Sequence, residues 1–331
     1  MKNLFKNKNI LITGGTGSFG QEFVKILCKN YNFKKLAILS RDELKQFEMS
    51  EKIKDKRLRF LLGDIRDYER LKFAFRNIDY VIHAAALKQV PKAEYNPSEY
   101  IKTNILGSEN IIKASIETNV SRVISLSTDK AASPINLYGA TKLVADKLFT
   151  SANNMIGSKN IIFSTVRYGN VLNSRGSVIP FFKELISKNK EIPITDIGAT
   201  RFFLSLTQGV HFVLKSFNLM RGGEIFVPKI PSFNIADLAS YMAPKLRKKV
   251  VGLRPGEKIH EVLISKDESN VIEFKDFFVI TPTITLNNKK NFSKYGLYKG
   301  VKTQKSFEYN SQSNVKFIKK QNLKNFLNKY I

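Results

Sequence analysis

The chain has 331 residues, 43% hydrophobic and 25% charged, enough for one large or two ordinary domains with a substantial core. It has no run of about 18 apolar residues, so no helical membrane span is expected. The net charge of +27 admits a polyanionic partner, but the lysines are spread through most elements. They are denser only at Lys245 to Lys249 and Lys316 to Lys329, with no helix-turn-helix, zinc-finger or RNA-binding aromatic signature. The charge is therefore read as a basic surface favouring anionic substrates, not as a nucleic-acid site.

In chain order, Met1 to Asn9 carries lysines without an apolar stretch, so no signal peptide is expected. Strands are predicted at Ile10 to Thr13, Leu36 to Leu39, Arg59 to Leu62, Tyr80 to His83, Arg122 to Ser127 and Ile161 to Arg167. Between the first two, Phe19, Phe23, Ile26 and Leu27 repeat at helical spacing. Cys28, the single cysteine, sits in that helix as a core filler, and with no internal disulfide possible a reducing cytoplasm is expected. A long helix is predicted after Pro97, capped by Ser98 and ending near Asn119. Strands alternating with helices predict an α/β fold with a doubly wound parallel sheet. From about Pro180 the order loosens. Short helices at Thr207 to Phe217 and Ile235 to Tyr241 mix with short strands and the stretch Pro228 to Pro231, which reads as a smaller cap.

The first strand runs into Thr13-Gly14-Gly15-Thr16-Gly17-Ser18-Phe19-Gly20. Gly14, Gly17 and Gly20 lead straight into a helix. Such a loop lets the backbone approach a pyrophosphate, which the helix N-terminus then binds, so a dinucleotide site is predicted here. The second strand ends in Ser40 and Arg41, with Asp42 and Lys45 following. A guanidinium beside a hydroxyl suits a 2′-phosphate, which favours NADP over NAD. Asp64, in Gly63-Asp64-Ile65, is placed against the adenine amino group. Ala84 and Ala85, followed by Ala86, give small residues where the cofactor passes close to the backbone. His83, His211 and His260 lack metal-ligand spacing, so no metal is expected and His83 is read as structural. Residues 1–170 are thus predicted to be a Rossmann domain carrying the cofactor and catalytic residues. Residues 171–331 are predicted to be mainly the cap, with some segments returning to the first domain.

The fifth strand runs into Ser127-Thr128-Asp129-Lys130, and Tyr138 and Lys142 follow on one face of the next helix. A tyrosine beside an ammonium and a nicotinium is a plausible base towards a sugar hydroxyl.

Together the glycine run, the strand-end serine, and Tyr138 with Lys142 resemble the extended short-chain dehydrogenase/reductase family. Further segments resemble its inverting UDP-N-acetylglucosamine 4,6-dehydratases: Ser-Thr-Asp-Lys-Ala at 127–131, Ala-Leu-Lys-Gln-Val-Pro at 86–91, Arg-Pro-Gly-Glu-Lys at 254–258, and the tail with Phe277-Phe278 and Glu308-Tyr309. The resemblance implies a tightly bound NADP recycled in each turnover, with Lys130 as base at C5 and Asp129 as acid to the leaving C6 hydroxyl. It also implies inversion at C5 and a place at the start of pseudaminic acid synthesis, which serves flagellin glycosylation. Family members are dimers or hexamers, so a homo-oligomer is implied. On this reading a UDP-sugar diphosphate calls for arginines, and Arg201 and Arg254 are the candidates. Glu257 is placed at a ribose hydroxyl, Asn170 near the diphosphate, and Lys88 and Thr128 along the substrate. Asn173 departs from the family pattern, which has glycine there, in the loop to Gly176.

Overall fold

The computed structural model describes residues 3–172, 177–284 and 291–328. Its first half alternates strands and helices: β1 (Asn9–Thr13), α1 (Ser18–Asn30), β2 (Lys35–Ser40), α2 (Glu43–Lys52), β3 (Leu58–Leu62), α3 (Tyr68–Ala74) and β4 (Tyr80–His83). After these come α4 (Val90–Tyr95), α5 (Pro97–Tyr100), α6 (Gly107–Glu117), β5 (Arg122–Thr128), α7 (Leu137–Ser151) and β6 (Ile162–Tyr168). The strands pair in parallel in the order β3-β2-β1-β4-β5-β6. Apolar runs such as Ile10-Leu11-Ile12 suit strands buried on both faces. Ile10 and Ile12 pack with Phe23, Leu27 and Phe217 on one side of the sheet. Leu11 packs with Leu71, Phe75, Ile111 and Phe149 on the other. The strand order reverses between β1 and β4, so a crevice opens at the carboxyl ends of the strands.

The predicted helix from Pro97 to Asn119 is not continuous. Asn96, not Ser98, occupies the capping position, because Pro97 takes the first helical place and moves Ser98 into the first turn. A π-helical stretch at Ile101–Leu106 then separates α5 from α6. It turns Asn104 inward, where its amide exchanges hydrogen bonds of 2.9 Å with Leu87 N and O and donates to Thr141 Oγ1 at 3.0 Å. A polar group needed at that depth accounts for the extra residue in the turn. Asn119 follows the helix in the left-handed region, φ +59°.

The second half contributes β7 (Asn170–Val171), α8 (Val178–Ser187), β8 (Ile192–Ile194), β9 (Thr200–Leu204), α9 (Leu206–Leu219) and β10 (Ile225–Pro228). It continues with β11 (Ser232–Asn234), α10 (Ile235–Met242), β12 (Lys248–Val250), β13 (Val262–Ile264), β14 (Val271–Glu273) and β15 (Phe277–Ile280). α9 begins with a capping box between Ser205 and Gln208. β10 extends the large sheet in parallel beside β6, and β15, β14 and Val301–Lys302 continue it antiparallel. The cap has its own core of Phe182, Ile192, Phe203, Phe233, Leu238 and Leu323 around the sheet β11-β9-β7.

Candidate active site

A cavity of about 1090 Å³ lies along the carboxyl ends of the parallel strands and under the cap. All the cofactor, substrate and catalytic residues named from the sequence, from Gly14 to Glu257, border it. Asn173 and Gly176 lie outside the described residues.

At one end, Gly14 has φ +65°, and a Cβ there would stand 2.8 Å from the Ala85 backbone. The loop therefore presses against the end of β4 and leaves a cradle that a side chain would fill. Gly17 occupies the N-cap of α1 without any side-chain cap, which leaves the helix N-terminus at the cavity. Thr16 Oγ1 and Ser40 Oγ share a hydrogen bond of 2.7 Å, tying the loop to the end of β2. Arg41 is half exposed and reaches Asp64 at 3.4 Å, while Arg66 holds the same carboxylate at 2.7 Å. Burial acts against the Asp64 charge, but Arg66 and then Arg41 outweigh it and hold the group below its ordinary range. Asp42 is occupied elsewhere: it caps α2 through Lys45 N at 3.0 Å and pairs with the Lys45 ammonium. Such a loop fits the pyrophosphate of a dinucleotide.

His83 sits at the end of β4 but inside the sheet, bonded to Thr13 Oγ1 at 2.8 Å. Burial, with Lys142 adding to it, lowers its pKa to about 3, so it is neutral. Among the described residues no three His, Cys, Asp or Glu side chains come together as a metal site.

The residues expected to be catalytic stand where β5 ends. Thr128 is extended and caps a single 3₁₀ turn, Asp129–Ala131, which throws Asp129 and Lys130 into the cavity. Asn136 caps α7 through Gly139 N at 2.7 Å and donates to Gly256 O at 2.8 Å, tying the Arg254–Glu257 loop to that helix. Gly139 meets Lys130 O so closely that any side chain would separate α7 from the turn.

Asp129 is 1% exposed and lies 3.0 Å from Lys130 Nζ. Thr128 Oγ1 donates to its Oδ1 at 2.8 Å, and Oδ2 is buried without a partner. Burial raises the Asp129 pKa against the pull of Lys130. For Lys130 burial acts the other way, but Asp129 and Glu261 outweigh it and hold the ammonium firmly. Tyr138 is pushed up to about 12 by burial, with Lys130 as the chief opposing charge. Sequence reasoning assigned that opposing charge to Lys142. Lys142 instead donates to Leu126 O at 2.7 Å, and burial lowers its pKa.

Three further features escaped the sequence. Glu261 Oε1 lies 3.1 Å from Lys130 Nζ. Arg201, expected at a diphosphate, pairs with Glu257 at 2.7 Å and donates to Thr200 O and Ile259 O, each at 2.8 Å. Behind the site, Arg167 joins Asp146 at 3.1 Å to Glu268 at 2.8 Å, and Ser127 Oγ donates to Asp146 at 2.8 Å. Arg254 stays exposed at the cavity rim, and the Oδ1 of Asn170 is buried without a partner.

Residues 10–282 match the family model described as "Polysaccharide biosynthesis protein". The chain belongs to this family. Two relatives from Campylobacter jejuni strains, each named UDP-N-acetylglucosamine 4,6-dehydratase (inverting), are 53% and 54% identical over 98% of both chains. A UDP-glucose 4-epimerase from Rickettsia akari is 43% identical over 80% of each chain. Among solved structures, Pen from Bacillus thuringiensis superposes with a TM-score of 0.90 at 40% identity, over 98% of this chain and 99% of that one. DesIV, a dTDP-glucose 4,6-dehydratase from Streptomyces venezuelae with NAD bound, gives a TM-score of 0.69 at 21% identity, over 76% of this chain and 86% of that one. That likeness shows a shared fold.

Proposed function

We propose that this chain dehydrates UDP-N-acetylglucosamine across C5 and C6 with inversion at C5, using NADP that is regenerated in each turnover. The pair of buried Asp129 and half-buried Lys130, 3.0 Å apart and facing the same cavity as Tyr138, carries this reading. The identity to inverting dehydratases across nearly the whole chain supports the choice of sugar.

When bound, NADP supplies a two-electron acceptor for C4 and a donor for C6. Gly14 to Gly20 would hold its pyrophosphate, with Ser40, Arg41 and Lys45 around the 2′-phosphate, Asp64 and Ile65 at the adenine, and Ala84, Ala85 and Lys88 along its path. The employment of Asp42 as a helix cap favours NADP, because the carboxylate that could bind a free ribose hydroxyl is already engaged. Tyr138 takes the C4 hydroxyl proton, and the Lys130 ammonium, the chief charge opposing the rise of its pKa, lowers the cost of the phenolate. A ketone at C4 acidifies the C5 proton. Lys130 receives that proton as the amine, and Asp129 gives its own to the departing C6 oxygen, which leaves as water. An ammonium beside a carboxylate and an amine beside a carboxylic acid hold the same protons, so the reactive form needs only an internal shift that desolvation favours. A proton returned to C5 on the opposite face sets the inverted configuration. Thr128 and Asn170 would contact the sugar and diphosphate, with Arg254, Arg201 and Glu257 at the nucleotide end. The division at residue 170 then separates cofactor chemistry from substrate recognition. Cytoplasmic location, homo-oligomerisation and supply of a pseudaminic-acid-type product belong to the same reading. Among the described residues no helix is long and apolar enough to cross a membrane.

The test is incubation of purified protein with UDP-N-acetylglucosamine in heavy water, followed by proton NMR. A 6-methyl, 4-keto sugar of L-arabino configuration, deuterated at C5, is expected. A D-xylo product would remove the inversion. A 4-epimer without loss of water, the outcome suggested by the epimerase relatives, would overturn the reading.

A further inference from the structure

The dehydration pair has a third member supplied from the other half of the chain. Glu261 directly precedes β13 and is 3% exposed. Its backbone is fixed by the tail: Glu261 N donates to Ser311 Oγ at 2.9 Å, and Ser311 N donates to Glu261 O at 2.8 Å. Its side chain is aimed across the cavity wall, with Oε1 at 3.1 Å from Lys130 Nζ and 3.7 Å from Arg201 Nε. Oε2 is buried with no partner. A carboxylate this deep persists only with compensating charge.

The groups facing Lys130 are Asp129 on its own turn, Glu261 before β13, Arg201 on β9, Lys88 after β4, Lys258 and Tyr138. Two carboxylates thus share one ammonium, and their environments push them apart. Burial raises Asp129. It acts the same way on Glu261, but Lys130, Arg201 and Lys258 together outweigh it and hold Glu261 ionised.

We propose that Glu261 is a positioning residue for the elimination: its carboxylate holds the Lys130 amine against the cavity and stabilises the positive charge that Lys130 gains with the C5 proton. Asp129 is then the carboxyl that carries the proton to the leaving oxygen. The balance closes. Before the step the cluster holds amine, carboxylic acid and carboxylate. The C5–H pair forms the C5=C6 bond, the C6–O bond breaks, and the oxygen leaves as water with the Asp129 proton. The cluster ends as ammonium and two carboxylates, its resting state. This inference rests on the dehydratase reading.

Glu261→Gln keeps the shape and a hydrogen-bond acceptor but removes the charge. In single turnover the elimination rate is expected to fall roughly 10²-fold, the scale of losing one electrostatic contact to a developing charge. KM should hold nearly constant. Because oxidation at C4 does not need Glu261, reduced nicotinamide should accumulate, visible in near-ultraviolet absorbance, and deuterium entry at C5 should lag. Glu261→Asp, which keeps the charge, should recover part of the rate. Elimination at the wild-type rate without that accumulation overturns the proposal, and so does an equal fall in every step. Folding gives an independent readout. Lys130→Met strands two buried carboxylates, so adding Glu261→Gln to it should raise the thermal midpoint and cost no further activity; an unchanged or lower midpoint overturns the pairing. A wild-type control that forms no dehydrated product overturns the functional reading and this assignment with it. Normal wild-type turnover confines a failure to Glu261.

Discussion

Arg167→Met tests whether the network behind the site holds the catalytic strand in place. Arg167 and Asp146 are each 1% exposed and 3.1 Å apart, and Glu268 lies 2.8 Å from the other side of the guanidinium. At an effective dielectric of about 20, each contact is worth roughly 5 kcal/mol before desolvation is subtracted. Removing one partner of a buried pair leaves the other uncompensated, at a net cost of ~3–5 kcal/mol. An unfolding entropy of about 2.1 cal/mol/K per residue over 331 residues gives ~0.7 kcal/mol/K, so the thermal midpoint should fall by ~4–7 °C. The pH dependence has a definite sign. Burial already raises Asp146 above its unfolded value, with Arg167 and Lys142 opposing, and loss of Arg167 raises it further. As pH falls through that folded value, the folded state takes up a proton the unfolded chain does not, and the deficit shrinks. Scanning calorimetry at pH 8 and pH 5.5 should therefore show the larger deficit at pH 8. Adding Asp146→Asn should restore much of the loss. A fall below ~2 °C, or the same deficit at both pH values, refutes the reasoning.

Arg41→Ala should weaken NADP binding by ~10–100-fold, the worth of one or two hydrogen bonds to a charged group, with little change for NAD. Calorimetric titration with both nucleotides checks this, and equal losses would remove Arg41 from the 2′-phosphate. Gly14→Ala places a Cβ 2.8 Å from the Ala85 backbone at φ +65°, costing ~1–3 kcal/mol. The purified variant should lose its nucleotide on desalting, and full retention would contradict the packing. His83 has a folded pKa of about 3 against an ordinary 6.5. The stability it confers is complete above the unfolded value and is lost as pH falls from there towards 3, by up to ~1.4 kcal/mol per pH unit. His83→Asn should flatten denaturation curves in that window, and an unchanged slope would show that the acid sensitivity lies elsewhere.

The parallel sheet and the nucleotide loop were legible because their signals are local. Ile10 to Thr13 is an apolar run stopped by Gly14, and the spacing of Gly14, Gly17 and Gly20 states its own geometry. Asp129 with Lys130 was legible for the same reason, since that pair is made within one turn; Tyr138 and Lys142 were legible as neighbours on one helix face, but not that Lys130 is the charge acting on Tyr138. Glu261 was not. It lies in Lys258-Ile259-His260-Glu261-Val262, and its only local signal is an acid placed directly before an apolar strand run. Its meaning depends on the second half folding back until β13 packs on the catalytic turn. Arg167, read as the last residue of a strand, became the centre of a buried network because Glu268 returns to it from 101 residues away. Arg201 borders the cavity as expected, but its ion-pair partner was not legible. Glu257, three residues after Arg254, takes its guanidinium. Sequence spacing gives the charges, and only topology decides which of them meet.

The cluster around Lys130 also constrains how the rate can vary with pH. In a chain of net charge +27, long-range repulsion alone would push a lysine towards release of its proton. Two buried carboxylates within 3.1 Å reverse that locally, and the Lys130 pKa stands above its ordinary value. A base that deprotonated into bulk water would need the opposite shift, and kcat would climb through pH 7 to 9 as the amine appeared. Internal transfer to Asp129 needs no such climb. The expected profile is flat across that range and falls on the acid side. There the cluster gains one extra proton, Asp129 is already filled, and Lys130 has nowhere to pass its own. The Asp129 pKa is raised, so this loss should begin above the ordinary carboxylate range. Asp129→Asn removes the internal acceptor and should convert the flat profile into one that rises with pH, at a rate lower by ~10²–10⁴-fold. A wild-type kcat that climbs steadily to pH 9, or an Asn variant that keeps the flat profile, would place the proton in solvent and not in the pair.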